Sequence, residues 1–299
     1  NDRLPDMMIG RLSVNTNAEA DALVSKIIAY EALPPNSADW QTQVLMIADR
    51  DPAFAAAAEY LSDEYVTPAG YDVHKVYVGV EPYLDDASAR AAVITNINNG
   101  KLFVDYTGHG GIKIWGSTSP TLLDVTAVNG LTNLGMTPIV LGMTCWEGYF
   151  INPNTLSSYE SLAEIFVRKS TGGALASWSA TGLGLATGHT NLNAGFFDAY
   201  FNDAVGTFGE ATVAGKLALW QSGYALDLLD TYHLFGDPSI VFKRGLTAVS
   251  DDYEVDENAV LTVPLANGVL ENDINPEGLP LTAQYVVDSG PSNGLLDFN

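Results

Sequence analysis

Val104-Asp105-Tyr106-Thr107-Gly108-His109-Gly110-Gly111 and Ile139-Val140-Leu141-Gly142-Met143-Thr144-Cys145-Trp146 decide how this chain is read. Each is an apolar run that ends in a reactive side chain. Leu102 to Val104 predicts a buried strand stopped by a glycine-rich turn carrying His109, and Ile139 to Leu141 predicts a second strand stopped at Cys145. In an open parallel sheet both side chains emerge at the carboxyl edge, where α/β folds bind ligands. Cys145 is the only cysteine among 299 residues, so it has no disulfide partner within the chain, and a lone Cys with a suitable His elsewhere is a candidate nucleophile. Taken at random, a free cysteine is usually a small buried hydrophobe. The matched strand-end positions of Cys145 and His109 favour a Cys/His dyad instead.

Working outward from these two runs, the first half of the chain alternates strands and helices. Glu19 to Glu31 carries Ala20, Leu23, Val24, Ile27 and Ile28 at helical spacing, and Pro34-Pro35 closes it. Val44 to Ala48 predicts a short buried strand, Pro52 to Leu61 an alanine-rich helix, Val73 to Val80 a strand, and Ala87 to Asn98 a helix stopped by Asn99-Gly100. This βαβαβ order implies an α/β fold, a mainly parallel sheet with helices on both faces. Beyond Cys145, Ser157 to Lys169 predicts an amphipathic helix, Ala174 to Trp178 a strand, Asn191 to Asn202 and Thr212 to Leu226 further helices, and Ile240 to Phe242 a closing strand. The Gly-, Ser- and Thr-rich loop from Ser179 to Gly188 leaves the strand beside the Cys strand and is expected to form a wall of the substrate cleft.

The chemistry these residues suit is amide hydrolysis. A free thiol with a pKa of about 8.5 is only partly ionised at neutral pH, so an imidazole such as that of His109 helps to form the attacking thiolate and later donates to the leaving amine. His189 and His233 could in principle join His109 and Cys145 around zinc, but no short ligand spacing such as CxxC or HExxH supports this. His233 reads as structural, near the Phe235-Gly236-Asp237-Pro238 turn, and His189 as lining the cleft.

Composition narrows the partners. Thirteen basic against 36 acidic residues give a formal net charge of −23, which repels nucleic acid and anionic membrane surfaces. No apolar stretch reaches the roughly 20 residues that a membrane helix requires. The chain opens at Asn1 without an initiator Met or a signal-peptide pattern, and so reads as starting inside a longer precursor, with autoprocessing as one route to that start.

Tyr106-Thr107-Gly108-His109-Gly110-Gly111 followed by Met143-Thr144-Cys145-Trp146-Glu147-Gly148-Tyr149-Phe150 resembles the gingipain-like cysteine peptidases, peptidase family C25 of the caspase-like clan. Ile9-Gly10-Arg11-Leu12, Lys26 to Glu31, Gly172 to Ala176 and Leu234 to Ser239 match the same branch, so the resemblance runs from about residue 9 to residue 243. It implies a caspase-like sheet and a secreted or surface-anchored bacterial endopeptidase forming a thioester at Cys145. It also implies an oxyanion site made by the backbone N–H groups of Gly110 and Cys145. In the family pattern an acid follows the strand before the His strand, which points to Asp51, with Asp49 as competitor; the alternative is that these acids cap the helix near Pro52. The resemblance also implies cleavage after Arg or Lys, which needs a carboxylate in the pocket. No acid lies between Trp178 and Asn193, so the loop Glu81 to Asp86 is the substitute source, while Trp115, Trp146 and Trp178 offer an apolar pocket or core packing.

Residues 247–299 form a separate unit holding ten carboxylates and no Lys or Arg, after a catalytic region spanning 1–246. Asp251 to Asn258 and Gly268 to Thr282 resemble the cadherin-like repeats of bacterial surface proteins, with strands expected at Val260 to Val263 and Leu281 to Val287 as part of a truncated β-sandwich. Calcium is an expected structural partner of these oxygens, against the simpler reading of a solvated acidic linker. No ion is required for the chemistry itself. The alternatives to an endopeptidase are a non-catalytic surface adhesion module and a transpeptidase that passes the same acyl-enzyme to an amine.

Overall fold

Strands β2 (Gln43–Ala48), β4 (Phe103–Thr107), β8 (Ile139–Met143) and β9 (Ala176–Ala180) are buried almost throughout, as strands covered on both faces must be. A computed structural model describes residues 3–35, 37–151 and 160–244, together with 251, 253–256, 259–264, 268–271, 273 and 280–284. The chain divides into two compact units, Asn1–Lys243 and Arg244–Asn299.

In the first unit a seven-stranded sheet has the order β1-β10-β9-β8-β4-β2-β3, with β1 at Gly10–Arg11, β3 at Asp72–Tyr77 and β10 at Tyr232–Phe235. From β3 to β9 every neighbour is parallel, β10 runs antiparallel to β9, and β1 returns parallel to β10. Between β4 and β8 a small antiparallel sheet is formed by β5 (Gly110–Gly111), β6 (Ile114–Trp115) and β7 (Leu123–Asp124).

Alternation along the central strands divides the core. Val44, Met46 and Phe103 face a cluster that includes Phe54 of α2 (Pro52–Leu61), Phe196 and Tyr200 of α6 (Ala186–Phe201) and Phe208 of α7 (Phe208–Ser222). Leu45, Ile47, Val104 and Val140 face the other cluster, with Val93 of α3 (Asp86–Asn98), Val128 of α4 (Val125–Gly130) and Phe166 of α5 (Leu162–Arg168). Each such buried side chain contributes about 1.5–3 kcal/mol of hydrophobic stabilisation. Helix α1 (Asn17–Glu31) packs on α5 and begins with a capping box in which Thr16 and Glu19 satisfy each other's backbone N–H groups.

Several sequence expectations shift. The strand that completes the sheet is Tyr232–Phe235, while Val241 of the expected Ile240 to Phe242 strand makes only an isolated bridge to Thr207. Helix α6 starts at Ala186, five residues earlier than expected, so the cleft-wall loop is shorter. In the second unit the described residues 259–264 and 280–284 form no β-ladder, and the remainder of the expected repeat lies outside the described residues. No helix among the described residues is long and apolar enough to cross a membrane.

Candidate active site

Register brings the two reactive residues to the same edge of the sheet. Thr107 of β4 is paired with Met143 of β8, so His109 and Cys145 each stand two residues beyond the same pair, at the carboxyl edge of adjacent parallel strands. Beyond the last pair the loops stay in contact: the N–H of Gly108 donates to the carbonyl of Met143 at 3.3 Å. Gly110 lies so close to Thr144 that a Cβ there would sit 2.4 Å from the Thr144 hydroxyl, which explains the glycine.

The His109 turn is fixed from below. Tyr106, fully buried, donates its hydroxyl to the carbonyl of His109 and accepts from the N–H of Gly116 at 2.9 Å. Burial, with the nearby Asp49 charge adding to it, holds that phenol protonated well above its ordinary range. Trp115 stacks on the Tyr106 ring at 4.7 Å between centroids. The imidazole of His109 is exposed, with Phe54 edge-on at 5.2 Å.

The Cys145 turn is held from the opposite side. Trp146 adopts a left-handed φ of 62°, uncommon for a bulky residue. Its N–H donates to the carbonyl of Gly182 at 3.0 Å, and that of Gly148 to Ala180 at 2.8 Å, tying the turn to the chain leaving β9. The half-buried Cys145 thiol points toward the carbonyl of Gly184 at 3.7 Å. Exposed Leu183 and Leu185 flank that carbonyl, so the expected wall segment does lie beside the thiol.

The other candidates separate. Asp49, almost completely buried, accepts the His109 backbone N–H on Oδ2 at 3.3 Å and that of Arg50 on Oδ1 at 2.8 Å. Asp51 instead caps α2, accepting from the N–H of Ala53 at 2.9 Å. Trp115 and Trp178 are wholly enclosed in the core and offer a ligand no surface, whereas Trp146 is half-exposed with Tyr149 edge-on at 4.9 Å. His189 is likewise buried, packed beneath Gly184 and against Tyr232, and burial pushes its imidazole down to about 4. In the Glu81 to Asp86 loop, Asp85 caps α3 and Asp86 pairs with Arg50 at 2.7 Å, leaving Glu81 exposed. Among the described residues no three His, Cys, Asp or Glu side chains gather as a metal-holding group.

A family model described as Peptidase family C25 matches residues 1–243, the whole of the first unit. The chain belongs to peptidase family C25. Among curated C25 relatives, Gingipain R1 of Porphyromonas gingivalis is 26% identical over 295 residues, covering 90% of this chain and 29% of that protein. Gingipain R2 of the same bacterium is 27% identical over 256 residues, covering 81% and 33%, and Lys-gingipain is 23% identical over 271 residues, covering 82% and 15%. The chain thus spans about a third or less of the length of these relatives. The crystal structure of the Arg-specific cysteine proteinase gingipain R superposes with a TM-score of 0.70 at 23% identity, covering 84% of this chain and 60% of that one. That superposition shows the C25 fold: an α/β, caspase-like sheet with helices on both faces.

Sequence reasoning missed one residue beside Cys145. Glu147 is completely buried with neither carboxylate oxygen hydrogen-bonded among the described residues. An acid in a Cys-Trp-Glu-Gly turn gives no sequence signal of burial. The glycine at 142 was the available hint, because it leaves the space the carboxylate fills.

Proposed function

We propose that the chain is a cysteine endopeptidase in which Cys145 is the nucleophile and His109 the general base. The observation that carries this reading is the shared register of Thr107 and Met143, which delivers both side chains to one edge of the sheet within a chain of family C25. His109 takes the Cys145 proton, the thiolate attacks the scissile carbonyl carbon, and the backbone N–H groups of Gly110 and Cys145 receive the oxyanion. Collapse of this intermediate breaks the C–N bond, with His109 giving its proton to the departing amine and a thioester remaining on Cys145. Water activated by the same imidazole then releases the acid and restores the thiol.

Among the loop acids, contact favours Asp49 as the residue that fixes the His109 turn, through the main chain. Asp51 keeps the orienting role expected of it only if its capping carboxylate also serves the imidazole. Preference for a basic P1 side chain draws support from the relatives named for Arg and Lys, with exposed Glu81 as the carboxylate of the Glu81 to Asp86 loop not engaged in capping or pairing. The likeness of the acidic C-terminal segment to bacterial surface repeats supports a secreted or surface-anchored protein, with calcium as its structural ion.

Cleavage of a mixed peptide library, read by mass spectrometry with calcium and with a chelator, tests this. Cutting by wild type that disappears in Cys145→Ala and His109→Ala is expected, with Arg or Lys enriched at P1. Unchanged cutting by Cys145→Ala overturns the assignment. Wild-type kinetics in Asp51→Asn removes Asp51 from the mechanism.

A further inference from the structure

The turn that carries Cys145 folds back on the strand leading into it. A Cβ on Gly142 of β8 would fall 1.6 Å from Glu147 Oε2, so the carboxyl group occupies the space a side chain at 142 would take. Around it stand Ser179 of β9, whose hydroxyl is also hydrogen-bonded to Ser177 at 2.8 Å, and Trp115 of β6. The indole N–H of Trp115 has no full hydrogen bond among the described residues, nor has the hydroxyl of Thr144. Trp115 is the register partner of Gly110, the residue after His109. The backbone carbonyl of Glu147 accepts the N–H of Ala163, and the carbonyl of Ile112 that of Leu162, so the start of α5 also touches both loops. Glu147 therefore lies where the nucleophile turn meets the hairpin carrying the base.

We propose that Glu147 is a positioning residue of the peptidase reaction: as a neutral carboxylic acid it joins the Cys145 turn to the His109 hairpin through Trp115, and its ionisation disturbs that junction. This rests on Cys145 and His109 acting as nucleophile and base. Burial pushes the Glu147 carboxyl up to about 7, with Trp115 and Ser179 partly opposing the shift. The titratable groups facing it are the phenols of Tyr106 from β4 and Tyr232 from β10, with Cys145 two residues before it, and all of them become anions on ionising. Among the described residues no cation pairs with it. Loss of its proton to solvent thus places an uncompensated anion beside the thiolate.

Because Cys145 is the only cysteine, the rate of alkylation by iodoacetamide reads this one thiol in the full chain. Rates are measured from pH 5 to 9 for wild type, Glu147→Gln and His109→Ala, alongside kcat/KM for peptide cleavage. Wild type and His109→Ala are expected to show an inflection at about pH 7 that follows the Glu147 carboxyl. Glu147→Gln should lose it and react about threefold or more faster at pH 8, since no anion opposes the thiolate. The alkaline limb of kcat/KM should move to higher pH in the same variant. Superimposable wild-type and Glu147→Gln profiles overturn the proposal. If Glu147→Gln does not fold by circular dichroism, a single ionisation in His109→Ala overturns it. Cleavage that survives Cys145→Ala sinks the peptidase reading whatever the alkylation profiles show. Cysteine-dependent cleavage with matching profiles sinks the role of Glu147 alone.

Discussion

Asp105 and Glu147 sit on opposite faces of the central sheet, both completely enclosed, and burial pushes both carboxyls to about 7. Their surroundings differ. Asp105 accepts a hydrogen bond from the Asn193 amide of α6 and a long one, 3.5 Å, from the Thr107 hydroxyl. Glu147 has no full hydrogen bond to either oxygen among the described residues. Desolvation is the largest cause of both shifts, partly opposed by the neighbours of each acid, and those neighbours set what the group does. Asp105 fastens a helix to the sheet, and Glu147 stands where the Cys145 turn meets the hairpin that follows His109.

The largest expected effect tests the fastening. Asn193→Leu removes the main donor to a buried acid and should cost about 2–4 kcal/mol in urea unfolding. Asp105→Leu in the same chain should recover part of that loss, as coupled residues do. A cost below about 1 kcal/mol for Asn193→Leu would break the distinction between the two acids.

Next in size is the dependence of stability on pH. Each acid keeps its proton in the folded state at pH values where the unfolded chain has lost it, so their contribution is full below the ordinary carboxylate range and is lost as pH rises toward about 7. Above pH 5 the loss amounts to about 2–3 kcal/mol for each, two pKa units at about 1.4 kcal/mol apiece. Asp105→Asn and Glu147→Gln should each flatten the fall in urea midpoint between pH 5 and 8, by similar amounts despite their different partners. Buried His189 acts in the opposite sense. Its folded-state value near 4 lies below the ordinary 6.5, so its contribution is regained as pH rises between those values. His189→Gln should therefore reduce acid sensitivity without altering the alkaline fall.

The smallest effect belongs to an exposed acid. Asp51→Ala loses the α2 cap and should cost about 1 kcal/mol. Asp51→Ser, which can still cap, should restore most of it. A loss as large as that for Asn193→Leu would show that Asp51 has a buried partner after all.

The elements that position Cys145 and His109 were legible because their signals are local. The apolar run at Ile139 to Leu141, the glycines around His109 and the Asn-Gly stop after α3 each report one strand or turn. Helix α2 runs from Pro52 to Leu61 as its alanine-rich pattern and preceding acids indicate. Strand β10 was hidden because Tyr232 to Phe235 has only four residues and runs into the Gly236-Asp237-Pro238 turn, so it earns its place by pairing with β9 rather than by pattern. Trp115, Trp178 and His189 illustrate the same limit at the site. Proximity to a cleft can be inferred from chain order, but which way a large side chain faces depends on the sheet's two sides. The burial of Glu147 follows from Gly142, five residues earlier and on a different element, a relation no periodicity encodes.

Strand β1 is only Gly10 and Arg11, yet it forms the outer margin of the sheet beside β10. Arg11 lies over the Phe150 ring at 4.2 Å, and its carbonyl accepts from the N–H of Gly236 at 3.0 Å. Two residues near the start therefore shield the polar rim of a strand formed more than 200 residues later. Deletion of Gly10 and Arg11 would uncover that rim and leave β10 open to pairing with another copy. Gly10 and Arg11 thus keep β10 from being an edge strand, and their removal should show as self-association in light scattering.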